Sequence, residues 1–425
     1  MRSLRLRPER ITAENREMKQ SRQAALQDRT EEAQDAELIP SRPLSLVFFD
    51  LLDPLDKTYW AGTSAHIIQT LRSAGHTVHV VGSHLRLPRR IIKWLWYHYY
   101  LWFRRRYYHA DRDISLTWIC TQAGNLKLLF RKNVDAVITS APPFTAYLNT
   151  SRPIFLIHDA TWGQVIESYP HLSPARQAKR IVDGGFTLDR KAFGHSNVYP
   201  VMASEWAADR VMRDYGVPRD KIAILPFAPN LPGDPPDGIV EAGLKLRGTG
   251  ACKLLFVGRD WVRKGGPLAV DIAAALNARG LPAELHVIGC RPTDMPPFVH
   301  SYGIVSKDNP SEMQLLQRMY AESDFFIMPS QAEAQGIVFI EGAAYGLPAV
   351  ATDVGGISAV VKNGVWGLLL PLTAAADDYA AWLQQAYLDR ERYTTLARAA
   401  RADYKARLSS EAYARNLTNI ILARL

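Results

Sequence analysis

Cysteine is nearly absent from this 425-residue chain: Cys120, Cys252 and Cys290 are odd in number, far apart and outside any C-x-x-C spacing. A disulfide framework and a structural zinc site are thereby excluded, and a reducing, cytoplasmic setting is expected. No His/Cys cluster stands at ligand spacing, so no metal is assigned. The first 40 residues lack aromatic side chains and any apolar run that could form the core of a signal peptide, and they are dense in charge of both signs. Residues 1–40 are therefore expected to be a flexible charged tail. No internal repeat is visible beyond an alternation of strands and helices.

What is present is the balance of a soluble globular protein, 47% apolar and 22% charged. The length exceeds what one core usually serves, so two domains are expected. SLVFFDLL is a short strand-type run. In YWAGTSAHIIQTLRSAGHTVHVVGS, Ala65, Ile67, Ile68 and Leu71 give a helix an apolar face, and Gly75 stops it before the β-branched TVHVV. VDAVITS, PIFLIHD and NVYPVMAS repeat the pattern. It pauses from Leu225 to Cys252, where Pro and Gly crowd into what reads as a linker or long surface loop, and resumes in KLLFVGR, AELHVIG, DFFIMPS and LPAVATD. The fold class is therefore α/β: two Rossmann-like domains, residues 41–228 and 229–405, with parallel sheets and ligands at the C-terminal strand ends.

Two stretches carry candidate chemistry. In VGRDWVRKGG a strand ends at Gly258, Arg259 and Lys264 follow five apart, and Gly265 and Gly266 open a helix. Helix N–H groups plus two cations make a diphosphate receptor; a charged surface turn capped by glycines would show the same residues. In QAEAQGIVFIEGAAYGLP, Glu333 sits in a loop and Glu341 early in a helix that starts near Ile337, after Gly336. Carboxylates accept from vicinal hydroxyl pairs, which suits a sugar and a ribose. Alternatively Glu341 answers its own helix dipole and Glu333 is a solvated loop acid.

The ordered set GR-x4-KG (Gly258 to Gly265), PS-x2-E-x7-E (Pro329 to Glu341) and YGLPAVATDVGG (Tyr345 to Gly356), with residues 204–230, resembles the family 4 retaining glycosyltransferases. The resemblance runs from Ser45 to Leu425 and implies the GT-B fold, with two sheets facing across a cleft and a C-terminal helix, residues 406–425, crossing back to an N-terminal acceptor domain. It implies that Arg259 and Lys264 bind the diphosphate of a nucleotide-sugar donor, that Glu341 holds the ribose hydroxyls, and that Glu333 contacts the transferred sugar. Gly258, Gly336 and Ile337 help cradle the donor. Gly62 and Thr63 match a loop approaching the phosphates, although Ala61 replaces a frequent second glycine, and His158 matches a histidine near the reacting sugar; alternatively His158 is a strand-end histidine paired with Asp159. Where the family often has a glutamate this chain has Ala359. The implied activity is hexosyltransferase-type, metal-independent and without a cofactor, the donor being a substrate and the acceptor a glycan, lipid-linked or small-molecule hydroxyl, in a setting such as polysaccharide biosynthesis. A phosphorylase, a nucleotide-sugar 2-epimerase and a catalytically silent sugar-nucleotide-binding subunit are the rivals.

The positive charge has an address. Between Ser83 and Asp113 eight Lys or Arg face two Asp, and nine aromatics fall between Trp94 and Tyr108. Residues 86–112 therefore suggest docking on an anionic membrane surface from the cytoplasmic side. The same side chains could fill a core or bind acceptor phosphates; a nucleic-acid track is the least favoured reading.

Overall fold

The computed structural model describes residues 42–50, 53–56, 59–82, 86–131 and 133–425. The expected tail, residues 1–40, lies outside them. Among the described residues twelve strands make two sheets, and the central ones are built on β-branched or aromatic runs that a parallel sheet buries on both faces. The N-terminal sheet contains β1 (Ser45–Asp50), β2 (Thr77–Gly82), β3 (Ala136–Thr139), β4 (Ile154–His158), β5 (Val198–Met202) and β6 (Ala223–Ile224) in the order 2-1-3-4-5-6. The C-terminal sheet contains β7 (Cys252–Val257), β8 (Ala283–Ile288), β9 (Val299–Gly303), β10 (Phe325–Met328), β11 (Ala349–Thr352) and β12 (Gly367–Leu370) in the order 12-11-10-7-8-9. Every pairing is parallel.

The second order has one reversal of direction, between β7 and β10. Crossovers on either side of such a point leave the sheet in opposite directions, which opens a crevice at the carboxyl strand ends. The loops that leave β7 and β10 are the two stretches singled out above. Topology, more than proximity in sequence, brings them together.

The stretch from Leu225 to Cys252 is not wholly a linker, for Asp237–Leu246 is a helix that buries Val240 and Leu244. Pro235 and Pro236 precede its first turn, where a missing N–H costs nothing, so they start the helix rather than forbid it. Arg247, at its end, is buried and donates to the carbonyls of Tyr320, Ala321, Tyr345 and Gly346 at 2.8–3.0 Å. A buried guanidinium is tolerated because nearly every donor is satisfied.

The last helix, Ser410–Leu422, begins at Ser409, whose side chain accepts from the Ala412 N–H. It buries Tyr413, Leu417 and Ile421, spaced four apart on one face, in a cluster with Leu46, Phe48, Ile67 and Leu71 of the N-terminal half. Burial of each such side chain contributes about 1.5–3 kcal/mol. His76 fastens the joint. Its Nδ1 accepts from the Leu44 N–H at 3.1 Å, which leaves Nε2 to donate to Thr418 Oγ1 at 2.7 Å.

The basic aromatic segment divides. Arg86–His98 is α-helical and Tyr99–Phe103 continues as a π-turn. Tyr108 turns inward to a cluster with Trp162, Ile166 and Ile181, and Tyr100 stacks on it at 5.6 Å. Trp102 and Phe103 stay 66% and 76% exposed, with Trp94 and Leu95 also outward and Arg104 to Arg106 beside them. Helix Ile114–Leu129 adds Trp118, Ile119, Leu126 and Leu129 to the exposed apolar side chains. Arg112 does not belong to a surface patch. It is buried, pairs with Asp189 at 3.2 Å and lies over the Trp162 ring at 4.5 Å. No described helix is long and apolar enough to cross a membrane.

Candidate active site

Gly265 lies at φ 79° and caps helix Gly266–Ala278. A Cβ there would sit 1.9 Å from the Pro329 carbonyl oxygen, so only glycine lets the β7 loop lie against the β10 loop. The two loops are then laced together. Gln331 N–H donates to the Arg263 carbonyl at 2.8 Å, and Arg263 Nη1 donates to the Ala332 carbonyl at 2.6 Å. This sets Lys264 Nζ 2.8 Å and Arg263 Nη1 3.4 Å from one oxygen of Glu333. Burial pushes the Glu333 carboxyl up, but Lys264 and Arg263 together hold it below the usual carboxylate range. Glu333 is thus an acceptor of hydrogen bonds near neutral pH, and poorly suited to donate a proton. Arg259, at the end of β7, is exposed and has no ion pair among the described residues.

Glu341 occupies the second turn of helix Ile337–Ala344 and is 1% exposed. Its Oε2 accepts from the Tyr320 hydroxyl at 3.1 Å, and its Oε1 pairs with Lys307 Nζ. Neither a solvated loop acid nor a simple dipole partner describes the two glutamates, since each is held by named cations. Gly336, at φ 82°, caps this helix, and Ile337 packs against the N-terminal core.

On the N-terminal side, His158 ends β4. Its Nδ1 donates to the Ser140 carbonyl at 3.0 Å, nearer than Asp159 Oδ1 at 4.0 Å. Burial, with the positive Arg112 adding, lowers its pKa to about 3, so the ring is neutral. Asp159 beside it is pushed up to about 6, first by burial and then by the charge of Glu333, while the Trp60 hydrogen bond opposes the shift. Trp60 has a left-handed backbone, φ 46°, which costs on the order of 1–3 kcal/mol. Its ring is held edge-on to Phe227 at 5.0 Å and 5.9 Å from His158. Such strain persists where surroundings impose it. Trp60 lies two residues before Gly62, which caps helix Thr63–Ser73.

Gly62, Gly265 and Gly336 share a property: each caps its helix from left-handed backbone without a side-chain hydrogen bond. Helices starting at Ile114, Glu205, Pro310, Arg390 and Ser410 are closed by an Asp, Ser or Asn side chain. At the Gly62 and Gly336 ends no side chain among the described residues occupies the first N–H groups, and the local dipole favours a negative ligand; at the Gly265 end the Gly266 N–H already donates to the Trp261 carbonyl at 2.8 Å and Pro267 has none.

The halves meet at the site. The Arg263 guanidinium stacks 5.0 Å over the Tyr169 ring, and Phe227 N–H donates to Gln335 Oε1 at 3.2 Å. The Tyr169 hydroxyl is pushed up by burial, with the charges of Glu333 and Asp159 adding. Lys264 meets Glu333 and packs against Gly258, and Gly265 lies against Pro329 of the neighbouring loop. Arg263, Trp60, Tyr169 and Lys307 are not singled out by the sequence, and Asp159 enters there only as a partner of His158. The expectation that the chain has no D-x-D is corrected by Asp111-Arg112-Asp113, whose Asp113 is spent capping helix Ile114–Leu129 and pairing with Arg180 at 3.1 Å.

Residues 251–389 match the family described as Glycosyl transferases group 1. A protein named D-inositol 3-phosphate glycosyltransferase from Rhodococcus jostii (strain RHA1) is 30% identical over 206 residues, 45% of this chain and 45% of that protein. A protein of the same name from Arthrobacter sp. (strain FB24) is 30% identical over 234 residues, 52% of each. The chain thus spans about half the length of the curated relatives it matches. Among solved structures, sucrose-phosphate synthase from Thermosynechococcus elongatus superposes with a TM-score of 0.62 at 16% identity, over 90% of this chain and 99% of that one. WaaG, a glycosyltransferase involved in lipopolysaccharide biosynthesis, gives 0.58 at 15% identity, over 88% and 99%. These likenesses establish the GT-B fold.

Proposed function

We propose that this chain, which carries a group 1 glycosyl transferase domain over residues 251–389 on a GT-B frame, moves a sugar from a nucleoside-diphosphate-sugar to an acceptor hydroxyl with retention. The observation that carries the reading is the Lys264–Glu333–Arg263 cluster at the β7/β10 switch point, between the glycine-capped helix ends at Gly265 and Gly336. Departure of the nucleoside diphosphate develops negative charge on the leaving oxygen. Lys264, the unpaired Arg259 and the glycine-capped N–H groups would meet that charge in a closed cleft, where it counts for more than in water.

In this reading the bond from the anomeric carbon to the phosphate oxygen breaks as the acceptor oxygen bonds to the same face, and the acceptor proton passes to the leaving phosphate. No side chain has to act as nucleophile. Glu333, held ionised by two cations, accepts hydroxyls of the transferred sugar, and Glu341 accepts those of the ribose. Neutral His158 would contact the sugar with an unprotonated Nε2. The reading assigns no cofactor or metal, so turnover is expected to survive excess EDTA.

The exposed Trp94, Trp102 and Phe103 beside Arg104 to Arg106 support a second element, docking of the N-terminal half on an anionic membrane surface that presents a lipid-linked acceptor. The main reading is tested by screening UDP-, GDP-, ADP- and TDP-sugars for a rise in melting temperature, then following the anomeric proton by NMR with and without acceptor. Transfer from an α-linked donor to an α-linked product is expected. An inverted product excludes retention; donor conversion without acceptor supports an epimerase, and a phosphate requirement supports a phosphorylase.

A further inference from the structure

Lys307 has no part in the motifs above, yet it is bound into the site. It follows β9, and its side chain, 36% exposed, reaches back to pair with Glu341 Oε1 and to donate to the Asn230 carbonyl at 3.0 Å. Asn230 lies in the segment where the chain crosses between the sheets. Tyr320 takes the other Glu341 oxygen, and its ring stacks on Tyr345 at 5.6 Å and 13°. Helix Thr63–Ser73 faces the same place: His66, lowered to about 4 by burial and then by the charge of Lys307, touches Ser410 Oγ at 3.4 Å. One ammonium therefore links the glutamate, the crossing segment and the neighbourhood of the Gly62 loop.

Each carboxylate oxygen accepts two hydrogen bonds. With one site on each oxygen taken, by Lys307 and by Tyr320, Glu341 keeps one acceptor site per oxygen in a fixed plane. Two adjacent acceptors in a fixed plane match a cis-diol. Without Lys307 a carboxylate this buried would lose its only ion-pair partner among the described residues and the contact that fixes its plane.

We propose that Lys307 is a positioning and specificity-determining residue: by holding Glu341 and the crossing segment at Asn230 it makes the site select a ribonucleoside over a deoxyribonucleoside diphosphate. The inference rests on the reading of Glu341 as the ribose contact and deepens it. The mechanism is pre-organisation, since an acceptor pair already oriented loses less on binding than one that must be ordered.

The test uses the full chain and titration calorimetry with whichever of UDP, GDP or ADP raises the melting temperature most, beside its 2′-deoxy analogue. Wild type is expected to prefer the ribonucleotide about tenfold, the scale of one hydrogen bond to a charged group. Lys307→Met should lower ribonucleotide affinity about tenfold and leave the deoxy analogue within about twofold, so that the preference collapses. Lys307→Arg, which keeps the charge, should restore most of it and guards against a folding defect in the methionine variant. A preference that survives in a folded Lys307→Met overturns the inference and leaves the Glu341 reading standing. A wild type without preference, or a Glu341→Gln variant that keeps it, overturns the ribose contact itself.

Discussion

At the reversal point of the C-terminal sheet stand Lys264, Arg263 and Glu333, charged and paired with one another. At the strand ends of the N-terminal sheet stand His158, neutral, Asp159, half titrated near pH 6, and the strained Trp60. The N-terminal half is not short of cations, but places them elsewhere: Arg112 is buried against Asp189, and Arg104 to Arg106 lie outside among exposed aromatics. The two halves share a parallel, doubly wound plan and divide the work. One half gathers fixed charge, and the other sets a neutral histidine beside an aspartate that ionises at about pH 6 and carries an apolar, basic surface elsewhere. Such a division suits a reaction in which charge develops on the departing group and the attacking group is a hydroxyl.

The sharpest way to break the comparison is to discharge the C-terminal half. Lys264→Ala and Arg259→Ala should each lower turnover on the order of 100-fold, the usual loss for one charge contact made to the transition state. Steady-state rates with the donor found by screening check this, and unchanged turnover in both would place the diphosphate elsewhere. The next effect belongs to the N-terminal surface. Replacing Trp102 and Phe103 by Ser should weaken co-sedimentation with vesicles containing anionic lipid roughly tenfold, since both rings are largely exposed and shallow insertion yields only part of the about 1.5–3 kcal/mol that full burial of each would. Turnover on a soluble acceptor should not move. Binding indifferent to lipid charge would remove the docking surface and leave the cleft untouched.

The strands β1, β3, β4, β5, β7, β8, β10 and β11 were legible because a buried parallel strand is written as an apolar run ending in small residues. The edge strands β9 and β12 were not. VHSYG is polar and half-buried, and GLLL is too short to tell from a turn. Helix Asp237–Leu246 was hidden by the prolines that start it. Arg259, Lys264, Glu333 and Glu341 stand out as candidates because glycines and charges at fixed spacing mark strand-end loops, whereas Gly62 and His158 stand out only through the family resemblance. Arg263, Lys307 and Tyr169 do not, because their roles come from contacts between segments far apart in sequence. Arg263 could have been suspected from the neighbouring cations of R-K-G; for Lys307 and Tyr169 a single sequence carries no such signal.

The smallest predicted effect lies at the seam between the halves and has a definite sign. Asp159 is pushed up to about 6, by burial first and by Glu333 second, whereas Glu333 stays ionised and His158 stays neutral through the same range. Raising the pH through about 6 therefore adds one negative charge to the cleft. Both phosphates of a nucleotide-sugar are already ionised there, so the added charge repels the donor. Donor affinity should fall about threefold between pH 5.5 and 7.5, the scale of one screened charge several ångströms away, and Asp159→Asn should flatten the profile. The same shift acts on folding. Between the ordinary aspartate range and about pH 6 the folded chain binds more protons here than the unfolded chain, so Asp159 makes stability fall as pH rises through that window. Asp159→Asn should remove that slope in parallel with the binding profile. A binding profile that stays steep in a variant whose stability slope has gone would assign the affinity change to another group and leave Asp159 without a part in donor binding.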